Sequence, residues 1–165
     1  MKLWNRFALL LCLLLPLTAC KKEEAPQETV KAPMAAPTSD DREQWKAYLQ
    51  DVVTRNMDGI QNQPFVYMVP SESLPDFADQ YERLLDKAKT DVARGIIAGN
   101  LLAYGGHSSV KVADLVTESF KTVEPNSMKG VKLLFIGKMA DSERVKAAVT
   151  PAGVDYVFVD TSSSQ

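Results

Sequence analysis

Val131-Lys132-Leu133-Leu134-Phe135-Ile136, closed by Gly137, is the stretch that decides the fold. It is the most apolar short run of the chain after the N-terminal one, so it reads as a strand buried on both faces and central in its sheet. Lys138-Met139-Ala140-Asp141-Ser142 then opens a helix carrying Val145, Ala148 and Val149, which Pro151-Ala152-Gly153 breaks. The same alternation recurs upstream. Phe65-Val66-Tyr67-Met68-Val69, bounded by Pro64 and Pro70, precedes a helix whose apolar stripe is Phe77, Tyr81, Leu84, Leu85, Ala88 and Val92. Ser73 and Asp76 stand at capping-box spacing before that helix. Leu101-Leu102-Ala103-Tyr104 precedes a helix carrying Val112, Leu115, Val116, Phe120 and Val123. Tyr156-Val157-Phe158-Val159, with Asp155 and Asp160 at its ends, reads as a last strand at the sheet edge, because charges discourage further pairing there.

Before these units, Ser39-Asp40 marks the start of one more helix. Trp45, Tyr48, Leu49, Val52, Val53, Met57 and Ile60 form its stripe and read as core. Strands alternating with helices predict an α/β domain over residues 40–160, with a mainly parallel four-stranded sheet, helices on both faces and an extra N-terminal helix. Right-handed crossovers leave few arrangements. The expected one is a small doubly wound fold of strand order 2-1-3-4, followed by a disordered tail over residues 161–165.

In a doubly wound sheet, ligands sit beyond the carboxyl ends of the strands, where the winding reverses. In the expected order that crevice lies between the loop holding Ser71 and Glu72 and the turn holding Lys138 and Asp141. Gly105, Gly106, His107 and Ser108 would stand beside it. Hydroxyls, carboxylates, a lysine, an imidazole and helix N-termini converge there, and that chemistry favours an anion. The same residues also serve as tight turns and helix caps. Gly137-Lys138 lacks the spacing of a P-loop, the glycines do not form the dinucleotide fingerprint, and no Gly-x-Ser-x-Gly elbow occurs. No catalytic residue, metal site or cofactor is assigned from these residues.

The N-terminus has the parts of an export signal: Lys2 and Arg6, an apolar run from Phe7 to Leu17, then small residues. That run is shorter than the ~20 residues a spanning helix needs. Leu17-Thr18-Ala19-Cys20 resembles the lipobox of bacterial lipoproteins. The resemblance implies cleavage after residue 19, lipid on the Cys20 thiol, and anchoring to a membrane by several acyl chains. Residues 20–39, with Pro26, Pro33 and Pro37 and no aromatic side chain, then read as a flexible tether. Lys21-Lys22 after the cysteine, in place of Asp, favours the outer membrane over the inner, facing the periplasm.

Cleavage would remove Cys12 and commit Cys20 to lipid, which excludes disulfides, thiol catalysis and cysteine-ligated zinc. His107 is the only histidine, so a histidine-rich metal site is excluded as well. Without Lys2 and Arg6, 17 of the 19 basic residues remain against 21 acidic ones, a net of −4, which does not suit a nucleic-acid binder. The expectation is a periplasm-facing lipoprotein working as a non-catalytic module that binds another envelope or periplasmic protein, as an immunity or assembly factor would. The alternative is a small enzyme or anionic-ligand binder using the loops at the carboxyl ends of the strands.

Overall fold

A computed structural model describes residues 32–162. The expected signal stretch, Cys20, the first part of the expected tether and residues 163–165 lie outside the described residues. Four strands, β1 (Phe65–Val69), β2 (Leu101–Gly106), β3 (Lys132–Gly137) and β4 (Asp155–Asp160), form one parallel sheet. The helices are α1 (Arg42–Arg55), α2 (Phe77–Ala93), α3 (Ser109–Phe120) and α4 (Met139–Val149), the last followed by a short 3-10 turn. The α/β class and the parallel sheet are those expected.

The strand order is not. It runs β1-β2-β3-β4, with no reversal, in place of 2-1-3-4. The burial of each strand gives the physical reason. All six residues of β2 are buried and β3 is buried over Leu133–Gly137, so these two fill the centre. β1 is shorter, keeps Val66 at 45% exposure and is bounded by prolines, which edge strands tolerate. Steps in one direction with one hand put every crossover helix on the same side of the sheet. Accordingly α2, α3 and α4 share a core with Tyr67, Tyr104, Leu133 and Phe135, while α1 alone covers the other face. Helices do lie on both faces, but the sheet is not doubly wound and has no switch point.

On the second face, Trp45, Tyr48, Leu49, Val52 and Val53 of α1 pack on Leu101, Ala103, Leu134 and Ile136. Gly105 makes this approach possible, because a Cβ there would stand 2.4 Å from Leu49 Cδ2. Asp41 caps the helix, its Oδ1 accepting from the Gln44 amide at 2.8 Å. At the other end, Lys132 Nζ donates to the carbonyls of Asn56, the residue that caps the helix, and Asp58 just beyond it, both at 2.9 Å. The helix therefore runs antiparallel to the strands, starting at their carboxyl ends.

The packed unit begins at Ala32, earlier than the expected start at Asp40. Residues 32–39 run along α1. Met34 donates its amide to Asp51 Oδ2 at 3.1 Å, Arg55 donates to the Ala32 carbonyl at 3.0 Å, and Trp45 Nε1 donates to the Ser39 carbonyl at 2.8 Å. Met34 and Ala36 add apolar cover to the α1 core. Two apolar side chains and three polar contacts order a segment that composition alone marks as tether. Among the described residues, no helix is long and apolar enough to cross a membrane.

Candidate functional site

The loops after the strands gather at one end of the sheet, as in any parallel sheet, but their order changes what they can build. β2 stands between β1 and β3, so the Ser71 loop and the Lys138 turn are separated by two strand spacings, roughly 10 Å. The crevice expected between them is occupied by the end of β2 itself.

Gly105 and Gly106 lie inside that end and are buried. Gly106 has φ of 153°, and a Cβ there would meet the Val69 carbonyl oxygen at 2.8 Å. Both glycines serve the close approach of backbone and helix. Ser108 is the residue before α3, and its side chain makes no capping hydrogen bond. Its neighbour Ser109, the last residue of the loop expected beside the crevice, is the buried hub. Ser109 Oγ donates to Asp141 Oδ2 at 2.7 Å and accepts from the Lys138 amide at 2.8 Å. Asp141 Oδ1 accepts from Arg144 at 3.0 and 3.1 Å, and Arg144 reaches on to Asp114 at 2.7 Å. Gly137 leaves room for this hub, since a Cβ there would fall 2.7 Å from Ser109 Oγ. Asp141 is thus spent on tying α3 to α4. The Lys138 side chain is exposed, and so is Glu72.

The concave feature at this end lies to one side, around the end of β1. A cavity of about 750 Å³ is bounded by the start of α1, residues 70–76 and one flank of α2. Of the expected site residues it is lined by Ser71 and His107; Glu72, Gly105, Gly106, Ser108, Lys138 and Asp141 are not among its lining. His107 is exposed and packs edge-on to Trp45, with ring centroids 6.3 Å apart. Ser71 and Ser73 both donate their hydroxyls to Asp40 Oδ2, Ser73 at 2.7 Å. The Ser71 bond, then the Ser73 bond, hold the Asp40 carboxyl below the usual carboxylate range, with smaller help from a backbone hydrogen bond and the nearby His107. Ser73 therefore serves this latch, and α2 begins at Phe77 behind Asp76 without a side-chain cap. Two chain segments on either side of the cavity are joined by it.

Arg42 and Arg83 also line the cavity, and neither has an ion-pair partner among the described residues. Lys87 is shared with Asp91 and lies 5.1 Å above the Tyr67 ring. The wall beneath these cations is apolar, made by Trp45, Met68, Val69 and Leu84. A cationic rim over an apolar wall suits an anionic group attached to an apolar body. The arginines escaped the sequence reading because each sits on the polar side of an amphipathic helix, where an unpaired charge looks like any solvated one. Only the fold brings them together.

A second cavity, of about 540 Å³, follows the groove between α1 and β1 and shares Arg42 and Met68 with the first. Its lining is mostly apolar, from Leu49, Val53, Met57, Val66 and Met68. Among the described residues, no group of three or more carboxylate, imidazole or thiol side chains stands close enough to hold a metal ion. Comparison with protein-family models, with curated proteins and with solved structures finds no match for this chain.

Proposed function

We propose that this protein is a lipid-anchored module of the bacterial envelope, held at a membrane through Cys20, that binds another envelope protein through the groove between α1 and β1. The observation that carries the binding half is Val66. It is an apolar residue 45% exposed on a sheet face, at the floor of a mostly apolar groove that none of the described residues covers. The anchoring half is supported by the signal architecture and lipobox of residues 1–20, and Lys21-Lys22 favours the outer membrane.

Two measurements test the reading. Labelling with a palmitate analogue should mark the wild type and not Cys20→Ser, and the variant should leave the membrane fraction. A photo-crosslinking side chain at Val66 should join the protein to one specific envelope protein, while the same group at the exposed Val110 should not. Equal, diffuse crosslinking from both positions would remove the binding reading; unchanged membrane association of Cys20→Ser would remove the anchor.

A second reading is favoured by Arg42 and Arg83: the cavity they line would bind a small anionic ligand with an apolar body. It predicts protection from thermal unfolding by fatty carboxylates of intermediate length, lost in Arg83→Glu. No protection by any chain length would count against it.

A further inference from the structure

We propose that the groove beside β1 takes an extended, acidic segment of a partner protein, which adds to the free edge of β1 as a fifth strand. This rests on the binding-module reading and specifies its partner's chemistry. β1 pairs with β2 alone, and among the described residues no backbone hydrogen bond from outside the sheet reaches Phe65–Val69. A strand with one neighbour presents a row of unpaired donors and acceptors along its other side, a template for an added strand. Five residues at ~3.3 Å each give an edge of roughly 17 Å, room for about five residues of partner.

The chain itself shows what kind of segment this face accepts. α1 alone cannot span four strands, and each flank of the helix leaves a groove. On the Asp51 and Arg55 flank, residues 32–39 lie in place, with Met34 and Ala36 two apart as apolar contacts. On the opposite flank, the groove between α1 and β1 is open. It offers the same kind of apolar floor, and a free strand edge besides.

Charge selects the occupant. Arg42 and Lys46 stand along the groove, Lys46 within 3.7 Å of the exposed Glu43, and Arg83 and Lys87 line the larger cavity it opens into, Lys87 paired with Asp91. Asp40 and Asp76 line the larger cavity, but the lining of the groove itself holds no acid. This basic row stands on a chain whose formal net charge is −2. The far edge of the sheet is its opposite, since β4 begins at Asp155 and ends at Asp160. An acidic segment is therefore drawn to β1 and repelled from β4.

The test uses the full-length protein in detergent micelles and a blocked peptide of about ten residues alternating Val and Glu, with an alternating Val and Lys peptide as control. Hydrogen exchange is followed strand by strand. The Val/Glu peptide should slow exchange of the β1 amides by about tenfold or more and leave β4 unchanged, and the Val/Lys peptide should do neither. Arg42→Glu with Arg83→Glu, both surface changes, should reverse the preference. Equal binding of the two peptides, protection at β4, or no protection overturns the proposal. So does β1 protection without peptide that grows with protein concentration, which assigns the edge to a second copy. Complete competition by acetate also overturns it, assigning the cations to a small anion. Because the probe needs neither anchor nor native partner, its failure leaves the crosslinking from Val66 to stand or fall separately.

Discussion

Three helices cover one face of this sheet and one covers the other. On the first, Tyr67, Tyr104, Leu133 and Phe135 are buried beneath α2, α3 and α4. On the second, α1 seals the two central strands and leaves Met68 of β1, with Val157 and Val159 of β4, only partly buried, and Val66 more exposed still. The difference is a matter of width. A helix about 10 Å across cannot shield a sheet whose strands are each ~4.8 Å apart. Residues 32–39 lie along the Asp51 and Arg55 flank of α1, and none of the described residues covers the opposite flank over β1. On both faces the outer strands are less buried than the central pair, and Val66 on the one-helix face is the most exposed of the apolar strand residues.

The comparison breaks if the three-helix face is not the stronger core. Phe135→Ala removes a fully buried ring stacked 6.0 Å from Phe158, and should cost about 3–5 kcal/mol in urea unfolding. A cost below that of Leu49→Ala on the other face would invert the ranking. Gly105→Ala probes the one-helix face without removing anything. The new Cβ would overlap Leu49 Cδ2, at 2.4 Å, so the substitution should cost about 1–3 kcal/mol. Leu49→Ala opens the space for it, so the double variant should be more stable than the sum of the two losses predicts. Strict additivity would show that α1 does not press on β2 as described.

The alternation of apolar runs with amphipathic stripes made the class of fold legible, and the apolar character of Val131–Ile136 made β3's central place legible too. Strand order was not, because each strand's own sequence reports burial and not its neighbour. β1 has five apolar residues in a row, as a central strand would, and only its pairing with β2 alone makes it an edge. The site was less legible still. Residues 32–39 have a tether's composition, and it takes the Asp51 and Arg55 flank of α1 to order them. Asp141 is an acid near the carboxyl end of a strand, the pattern of a catalytic group. Its partner Ser109 lies 32 positions away, out of reach of any local pattern.

That pair supplies a milder prediction. Ser109→Ala removes the donor to Asp141 and the acceptor of the Lys138 amide within the three-helix side of the molecule. Leaving these groups unpaired should cost about 1–3 kcal/mol, read by thermal unfolding. Exchange of β1 amides should not change, because the hub joins α3 to α4 and touches nothing near the groove. A variant that loosens β1 as much as β3 would mean that the two faces do not respond separately.

The smallest effect is a titration, and it falls where the two faces meet. Asp40 precedes α1, and Ser71 and Ser73 follow β1, so their hydrogen bonds join the one-helix side to the loop that leads into α2. Those bonds, with His107 nearby, lower the Asp40 pKa in the folded protein. A carboxyl depressed on folding contributes stability above its unfolded pKa, and that contribution is lost as pH falls through the folded value. Acid should therefore release the latch first at the mouth of the cavity. Carbon-13 titration of the Asp40 carboxyl should give a midpoint below the ordinary carboxylate range. Ser71→Ala with Ser73→Ala should move it upward, and Glu72→Gln should leave it in place. In the same acid range, exchange should quicken at residues 71–74 while the β3 amides stay protected, since nothing in the core beneath α2, α3 and α4 depends on Asp40. A wild-type midpoint at or above the ordinary value would show that the serines do not hold the carboxylate, and the two faces would then meet at β1 through packing alone.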